Sequence, residues 1–419
     1  MIVLYNVLLV LTLPIWAVWM AVRARRRKEP VDWNERQGAY PFVLGRSHRR
    51  VWVHAVSVGE FMACQPLLRA LRALDPPPEV VVSTTTSSGH GAAEKHKGEL
   101  FDRLVYFPID VPRFCLKALL AVKPTVIVVM ETEIWPNFLW TARQMGIPAM
   151  VANGRIGDRT FSRRWLAGLV YRPVLRYLDA VLAQSETDRE RFLALGARQV
   201  EVLGNTKFDQ ALVGLDADPA EWRGTLGIPP GAPVIVVGST RSELEETLVS
   251  DALSDPRLHG AALVWAPRHI ERAQEIAAQL RRIGRSPGLR SEGGQGDTVV
   301  LDTYGELAKV YSVADVVIVG GGFDDLGGQD ILQPMAHGKP VVHGPNMANF
   351  RDVARLADDV GATLVCEPDP TELADTVTQL LEDPALRLKA GEAGRALVQS
   401  HQGAGGRIAD RVAGYFEAP

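Results

Sequence analysis

From residue 51 onward, short apolar runs rich in Val and Ile alternate with amphipathic helical patterns. Strands are predicted at 51–56, 79–83, 103–107, 125–130, 148–152 and 180–184, with helices between them. After Gly204-Asn-Thr-Lys-Phe-Asp209 the pattern restarts, with strands predicted at 233–238, 261–266, 298–301, 315–319, 340–343 and 362–365. Near-continuous apolar strands separated by helices belong to parallel sheets covered on both faces. The fold class is therefore α/β, with two doubly wound domains joined near 205–230 and meeting across a cleft. Ligands of such sheets bind outside the carboxyl ends of the strands, so the residues after each strand carry the function.

The passage Asp315-Val-Val-Ile-Val-Gly320-Gly-Gly-Phe-Asp-Asp-Leu-Gly-Gly328-Gln-Asp-Ile-Leu-Gln-Pro334 has this form. An apolar run stops at glycines and a helical pattern resumes, so free N–H groups of a loop and helix N-terminus are expected to meet an anion, first of all a substrate phosphate. The spacing matches neither G-x-G-x-x-G nor the P-loop, which disfavours NAD enzymes and ATPases. A plain Gly-rich turn is the competing reading.

Ile2 to Val22 is almost wholly apolar, interrupted by Asn6, Thr12 and Pro14, and as a helix it would reach about 30 Å. Arg23, Arg25, Arg26, Arg27 and Lys28 follow the run, whereas a cleaved secretory signal carries its basic residues in front. The expectation is an uncleaved N-terminal anchor, spanning or monotopic, with the body of the protein on the cytoplasmic side. Behind it, 419 residues at net charge −3 suit two ordinary domains and give no basic excess of the nucleic-acid-binding kind. Cys64, Cys115 and Cys366 are scattered and odd in number, which indicates neither a disulfide framework nor a zinc site.

Several predicted strand ends are polar. Val51 to His54 runs into Ser57-Val-Gly59-Glu60, which places Glu60 in the first turn of a helix. There the helix dipole should keep its carboxylate ionised, as a general base or as the glutamate of a Ser-x-x-Glu capping box. Glu131-Thr-Glu133 closes the strand at 125–130, and Ser83-Thr-Thr85-Thr86-Ser87-Ser88-Gly89-His90 forms a hydroxyl-rich loop suited to sugar or phosphate oxygens. Arg155, Arg159, Arg163, Arg164, Arg172 and Arg176 have few interleaved acids, which favours an acidic, membrane-borne substrate over a merely solvated face. In the second half, Gly238-Ser239-Thr240 followed by Glu243, Glu245 and Glu246, and then Pro267-Arg268-His269, repeat the strand-end pattern and could grip a nucleotide.

The ordered succession SVGE at 57–60, TTTSSG at 84–89, FPID at 107–110, ETEIWPN at 131–137, ANGRI at 152–156, GNTKFD at 204–209, GST at 238–240, PRH at 267–269 and the Gly320–Pro334 segment resembles the Kdo transferases of Gram-negative envelope synthesis. The resemblance implies a GT-B fold of two Rossmann-like domains. The expected parts are an anchor and basic flank at 1–28, an acceptor domain at 29–206, a CMP-sugar domain at 207–400, and a helix at 401–419 returning to the first domain. It implies inverting, metal-independent transfer of 3-deoxy-D-manno-oct-2-ulosonic acid from CMP-Kdo to a lipid A precursor at the inner membrane, with no cofactor beyond the donor substrate.

Glu60 would then deprotonate the acceptor hydroxyl, with Glu131 and Glu133 near the catalytic cleft. Lys207, Ser239, Thr240, Arg268, Gly320, Gly321, Gly322, Asp330 and Gln333 would serve the donor. Ser57, Gly59, Thr85, Thr86, Ser87, Ser88, Arg155, Arg163 and Arg164 would serve the acceptor. The family usually reads GGHNPLEP where this chain has Gly327-Gly-Gln-Asp-Ile-Leu-Gln333-Pro334, and Gln333 lacks the charge of the glutamate that accepts from ribose hydroxyls. Another nucleotide sugar, or a nucleotide-sugar epimerase or hydrolase on the same scaffold, is the alternative.

Overall fold

The structure is a computed structural model that describes residues 2–27 and 32–416. The chain forms two units, one comprising residues 1–210 with 402–419 and the other residues 211–401. The first unit is built on a parallel sheet of β1 (Arg50–His54), β2 (Glu79–Thr84), β3 (Arg103–Tyr106), β4 (Val126–Met130), β5 (Ala149–Gly154), β6 (Ala180–Ala183) and β7 (Val200–Val202). Its order is β3-β2-β1-β4-β5-β6-β7. The second unit holds β8 (Val234–Thr240), β9 (Ala262–Pro267), β10 (Gly288–Leu289), β11 (Thr298–Val300), β12 (Val316–Val319), β13 (Val341–His343) and β14 (Thr363–Val365), in the order β10-β11-β9-β8-β12-β13-β14.

All the pairings are parallel, and the central strands are buried end to end, which is why Val126-Ile-Val-Val and Val316-Val-Ile-Val show no polar alternation. Each strand predicted from sequence forms, with its bounds shifted by a residue or two. The strands that sequence missed are β7 and β10, both short and at sheet edges, where partial exposure removes the apolar signature. In each sheet the chain winds outward from the centre and then restarts on the other side. The first sheet therefore reverses between β1 and β4, and the second between β8 and β12. These are the points where ligands of doubly wound sheets bind.

The helix Ala404–Ala413 packs on the helix Val58–Arg72 of the first unit, adding Ile408, Ala409 and Val412 to the core around Leu67, Leu68 and Leu71. A Cβ at Gly405 would stand 2.7 Å from the Pro66 backbone, so only glycine permits this approach.

The N-terminal helix Ile2–Arg27 also belongs to the first unit. Its polar interruptions serve as attachment points. Tyr5 donates its hydroxyl to Asp110 at 2.9 Å, and Asn6 and Asn137 exchange amide hydrogen bonds at 2.8 and 3.0 Å. Val3, Leu4, Leu8 and Leu11 face outward and exposed. Of the basic flank, Lys28 and the side chains of Arg23, Arg25, Arg26 and Arg27 lie outside the described residues. Among the described residues no helix is long and apolar enough to cross a membrane.

Candidate active site

The reversal of the first sheet gathers the carboxylates expected from sequence. After β1 the chain turns through Ala55 and Val56 to Ser57, whose Oγ caps the helix Val58–Arg72 by accepting the Glu60 amide at 3.5 Å. The Glu60 carboxylate reaches back and accepts the Val56 amide at 2.6 Å. The capping box therefore forms, shifted by one residue on its return bond. From the neighbouring β4, Glu131 and Glu133 add negative charge. Burial, reinforced by Glu133 and Glu131 against the Val56 hydrogen bond, pushes Glu60 up to about 8. The helix dipole therefore does not keep Glu60 ionised, contrary to the sequence expectation, because desolvation and like charge outweigh it. Burial likewise raises Glu133 above the usual carboxylate range, with Glu131 adding to the effect.

Backbone strain is concentrated at the same strand ends. Glu131 at φ 53°, Asn153 at φ 54° and Ser239 at φ 62° are non-glycine residues in the left-handed region, each immediately past or at the end of a strand. Such conformations persist only where the surroundings impose them, and they cluster at working sites. Asn153 is fully buried, and its Oδ1 accepts the Thr206 amide at 3.0 Å, which ties β5 to the segment carrying Lys207. Lys207 lies on the helix Thr206–Gln210 within the first unit, so its assignment to the donor domain is corrected: the unit runs through Gln210.

The hydroxyl loop is half structural. Thr86 Oγ1 caps the helix Ser87–Glu94 through the Gly89 amide at 3.1 Å and donates to Val56 O at 3.1 Å, while Ser88 leans on Thr86 at 3.4 Å. A Cβ at Gly89 would come within 3.2 Å of Ser57, so glycine brings this helix against the Glu60 turn. Ser87 and Gly59 stand in the first turns of their helices, and Thr85 Oγ1 is buried without a partner. Arg155 follows β5 and is half-buried, whereas Arg163 and Arg164 are exposed around the start of the helix Arg164–Leu175.

In the second unit, Ser239 and Thr240 end β8 beside Gly320, Gly321 and Gly322 after β12. The anion expected in this glycine loop is supplied by the chain itself. Glu245 Oε1 accepts the Gly321 amide at 2.5 Å and the Phe323 amide at 3.4 Å, and its Oε2 accepts the Arg241 amide at 3.0 Å. Glycine is required here, since a Cβ at Gly320 would stand 2.6 Å from the Thr240 backbone and 2.9 Å from Glu245. The following helix, Leu332–Ala336, is only five residues long, and Asp330 already accepts its Leu332 amide at 2.9 Å. Carboxylates of the protein thus accept the amides of Gly321, Phe323 and Leu332. Thr240 accepts the Trp265 indole at 3.0 Å, Arg268 is exposed after β9, and Gln333 is half-buried on the short helix.

Sequence reasoning named Glu245 only together with Glu243 and Glu246 as part of a possible nucleotide grip, although Ser242-x-x-Glu245 repeats Ser57-x-x-Glu60 and follows a strand in the same way. It also assigned no role to Asp110. Buried at the end of FPID, Asp110 accepts the Asn137 and Phe138 amides at 3.0 and 2.8 Å, capping the helix Pro136–Gln144. Burial pushes it up to about 6. Among the described residues no group of three or more His, Cys, Asp or Glu side chains is placed to hold a metal ion.

Comparison with known proteins bears on this geometry. Residues 31–210 match the family model for 3-deoxy-D-manno-octulosonic-acid transferase, and residues 297–397 match that for glycosyl transferases group 1. A 3-deoxy-D-manno-octulosonic acid transferase from Bordetella pertussis is 36% identical over 418 residues, covering 94% of this chain and 95% of that protein. One from Chlamydophila psittaci is 30% identical over 342 residues, covering 80% and 78%. In fold alone, the chain is similar to a glycosyltransferase from Rickettsia africae, with TM-score 0.62, 11% identity and coverage of 88% of this chain and 99% of that one. It is also similar in fold to a UDP-GlcNAc 2-epimerase from Neisseria meningitidis, with TM-score 0.61, 13% identity and coverage of 87% and 99%. The two parallel-sheet α/β units are thus GT-B-like, the enzyme is a glycosyltransferase, and the chain belongs to the 3-deoxy-D-manno-octulosonic acid transferase family.

Proposed function

We propose that the protein transfers Kdo from CMP-Kdo to a lipid A precursor by a single inverting displacement, with Glu60 as general base. The observation that carries this reading is the half-buried Glu60 at the reversal of the first sheet, held up to about 8 and flanked by Glu131 and Glu133. A carboxylate raised that far is a far stronger base than an ordinary glutamate once it has lost its proton. It takes the proton of the acceptor hydroxyl as that oxygen attacks the anomeric carbon of the sugar. The bond from that carbon to the phosphate oxygen breaks, and CMP leaves with its electron pair.

The second unit holds the donor at Ser239, Thr240, Arg268 and the Gly320–Gly322 turn, with Asp330 and Gln333 on the ribose side. Lys207, on the helix Thr206–Gln210, is read as a further donor residue. Gln333 offers an uncharged acceptor to ribose, which weakens donor binding relative to a glutamate. Ser57, the loop Thr85–Ser88, Arg155, Arg163 and Arg164 serve the acceptor. Neither a metal nor a cofactor is required, so activity persists in EDTA.

The body works at the cytoplasmic face of the inner membrane, anchored by the N-terminal helix. That helix exposes Val3, Leu4, Leu8 and Leu11, and the helix Arg164–Leu175 exposes Trp165, Leu166, Leu169 and Val170 beside its arginines. Apolar side chains flanked by arginine suit an interfacial helix on anionic lipid. The deciding experiment incubates purified full-length protein with CMP-Kdo and a tetraacylated lipid A precursor, with and without EDTA, and weighs the product. A mass gain of whole Kdo units is expected. An unmodified acceptor, or turnover only with another nucleotide sugar, overturns the reading.

A further inference from the structure

A cavity of about 250 Å³ lies in the first unit between the N-terminal helix and the end of β3. Leu9 lines one side and Phe107, Pro108 and Ile109 the other, with Arg36 and Thr85 among the polar walls. The polar walls are unusual in what they leave unmet. Arg36 is 4% exposed, spends Nη2 on Thr85 O at 2.8 Å and stacks at 4.3 Å over Tyr106, yet its Nε has no hydrogen-bond partner. Thr85 Oγ1 is likewise buried and unpartnered. The nearby carboxylate of Asp110 does not answer them, being engaged by Tyr5 and by the Asn137 and Phe138 amides.

Buried donors of this kind are normally satisfied, so a cavity bordered by them is built for a hydrogen-bond acceptor. The apolar walls say what carries that acceptor. Carbohydrate would leave its hydroxyls unmatched against Leu9, Phe107 and Ile109. The volume is below the roughly 300–1,000 Å³ of pockets that enclose a whole ligand, which suits one chain rather than a head group. The helix that carries Leu9 is apolar on its outward side as well: Val3, Leu4, Leu8 and Leu11 are 73, 64, 53 and 66% exposed.

We propose that this cavity is a subsite for one fatty acyl chain of the acceptor, whose ester or amide carbonyl oxygen accepts from Arg36 Nε and Thr85 Oγ1 while the chain lies against Leu9, Phe107 and Ile109. The inference deepens the lipid-acceptor reading and rests on it. A subsite of this kind lets the N-terminal helix select acylated acceptors as well as hold the enzyme at the bilayer.

The test uses the full-length protein and a photoreactive long-chain acyl amide, with the site of attachment mapped by mass spectrometry. Adducts on Leu9 and on Phe107 to Ile109 are expected. Adducts confined to the outward residues Val3, Leu4, Leu8 and Leu11, or none at all, overturn the proposal and leave a water-filled gap. Leu9→Trp and Ile109→Trp fill the cavity from opposite walls, and melting temperature reports whether each folds. Either folded variant should weaken the acyl probe by about tenfold, the worth of roughly two buried methylenes. Each should also bring the KM for acylated acceptor toward that for its deacylated counterpart; an unchanged KM ratio and probe affinity count against the subsite. If the wild type glycosylates neither acceptor, the transferase reading fails on its own, and the probe mapping still decides whether the cavity binds acyl chains.

Discussion

Glu60 accepts the Val56 amide at 2.6 Å, and the same relation recurs in the second unit, where Glu245 accepts the Arg241 amide at 3.0 Å. In both, the glutamate stands three residues after a capping serine and bonds the amide just before that serine. Both follow the first strand of a parallel sheet at the point where the sheet order reverses. Their environments differ. Glu245 spends its other oxygen on the glycine loop, whereas Glu60 faces two further carboxylates from the next strand. One is held by the backbone on both oxygens and the other is left with a proton to exchange.

That proton sets the pH dependence of transfer. The base must be ionised to act, so kcat/KM should rise with pH and level off above about 8. Glu60→Gln should lower turnover by about two to four decades and abolish the inflection. An unaltered profile in the variant would return Glu60 to a capping role alone.

The same residue makes stability fall with pH. Its folded-state affinity for a proton exceeds its unfolded one, so the native state is favoured at acid pH, and this advantage is lost as pH rises from the ordinary carboxylate range to about 8. Melting temperature across that window should decline less in Glu60→Gln than in wild type. Equal slopes would show that the native Glu60 titrates as an ordinary glutamate.

Much of this was legible in the chain. Strands buried on both faces read as unbroken Val and Ile runs, and their polar endings marked Glu60, Glu131, Ser239 and Gly320 without further information. What sequence could not show was solvation. The ionised Glu60 inferred from its place in the helix became a protonated one once burial was known. The free glycine-loop amides turned out to be paired with Glu245, which is remote in sequence and close in space. Asp110, Tyr5 and Arg36 come from separate segments, and no spacing rule joins them. β7 and β10 escaped because an edge strand need not be apolar.

Strain at Ser239 offers a separation of stability from function. In the left-handed region an L side chain costs roughly 1–2 kcal/mol that glycine does not, so Ser239→Gly should raise the denaturant midpoint. If the side chain also serves the donor, affinity for CMP-Kdo should fall in the same variant. A gain in stability with unchanged donor affinity would remove Ser239 from the donor site.

Glu245 should behave as a structural acceptor. Glu245→Ala leaves the amides of Gly321 and Arg241 buried without their acceptor, at about 1–3 kcal/mol each, and should unfold at markedly lower denaturant. Glu245→Gln keeps one carbonyl acceptor and should lose less. Were the alanine variant as stable as wild type and tighter for donor, the glycine loop would be a phosphate site that Glu245 merely blocks.

The helix Arg164–Leu175 tests the lipid side of the reading. Trp165 is 71% exposed and Leu169 65%, an apolar surface left uncovered among the described residues, and Arg163 and Arg164 stand exposed at its start. On anionic vesicles this surface gains from both apolar insertion and charge, and only the second is screened by salt. Arg163→Glu with Arg164→Glu should therefore weaken vesicle binding strongly at low salt and little at high salt, whereas Trp165→Ala should weaken it at every salt concentration. Transfer to acceptor embedded in those vesicles should follow binding in both variants, and transfer to a detergent-dispersed acceptor should change less. Binding and transfer that match wild type across the whole salt series would mean that this helix faces water, and membrane attachment would then rest on the N-terminal helix alone.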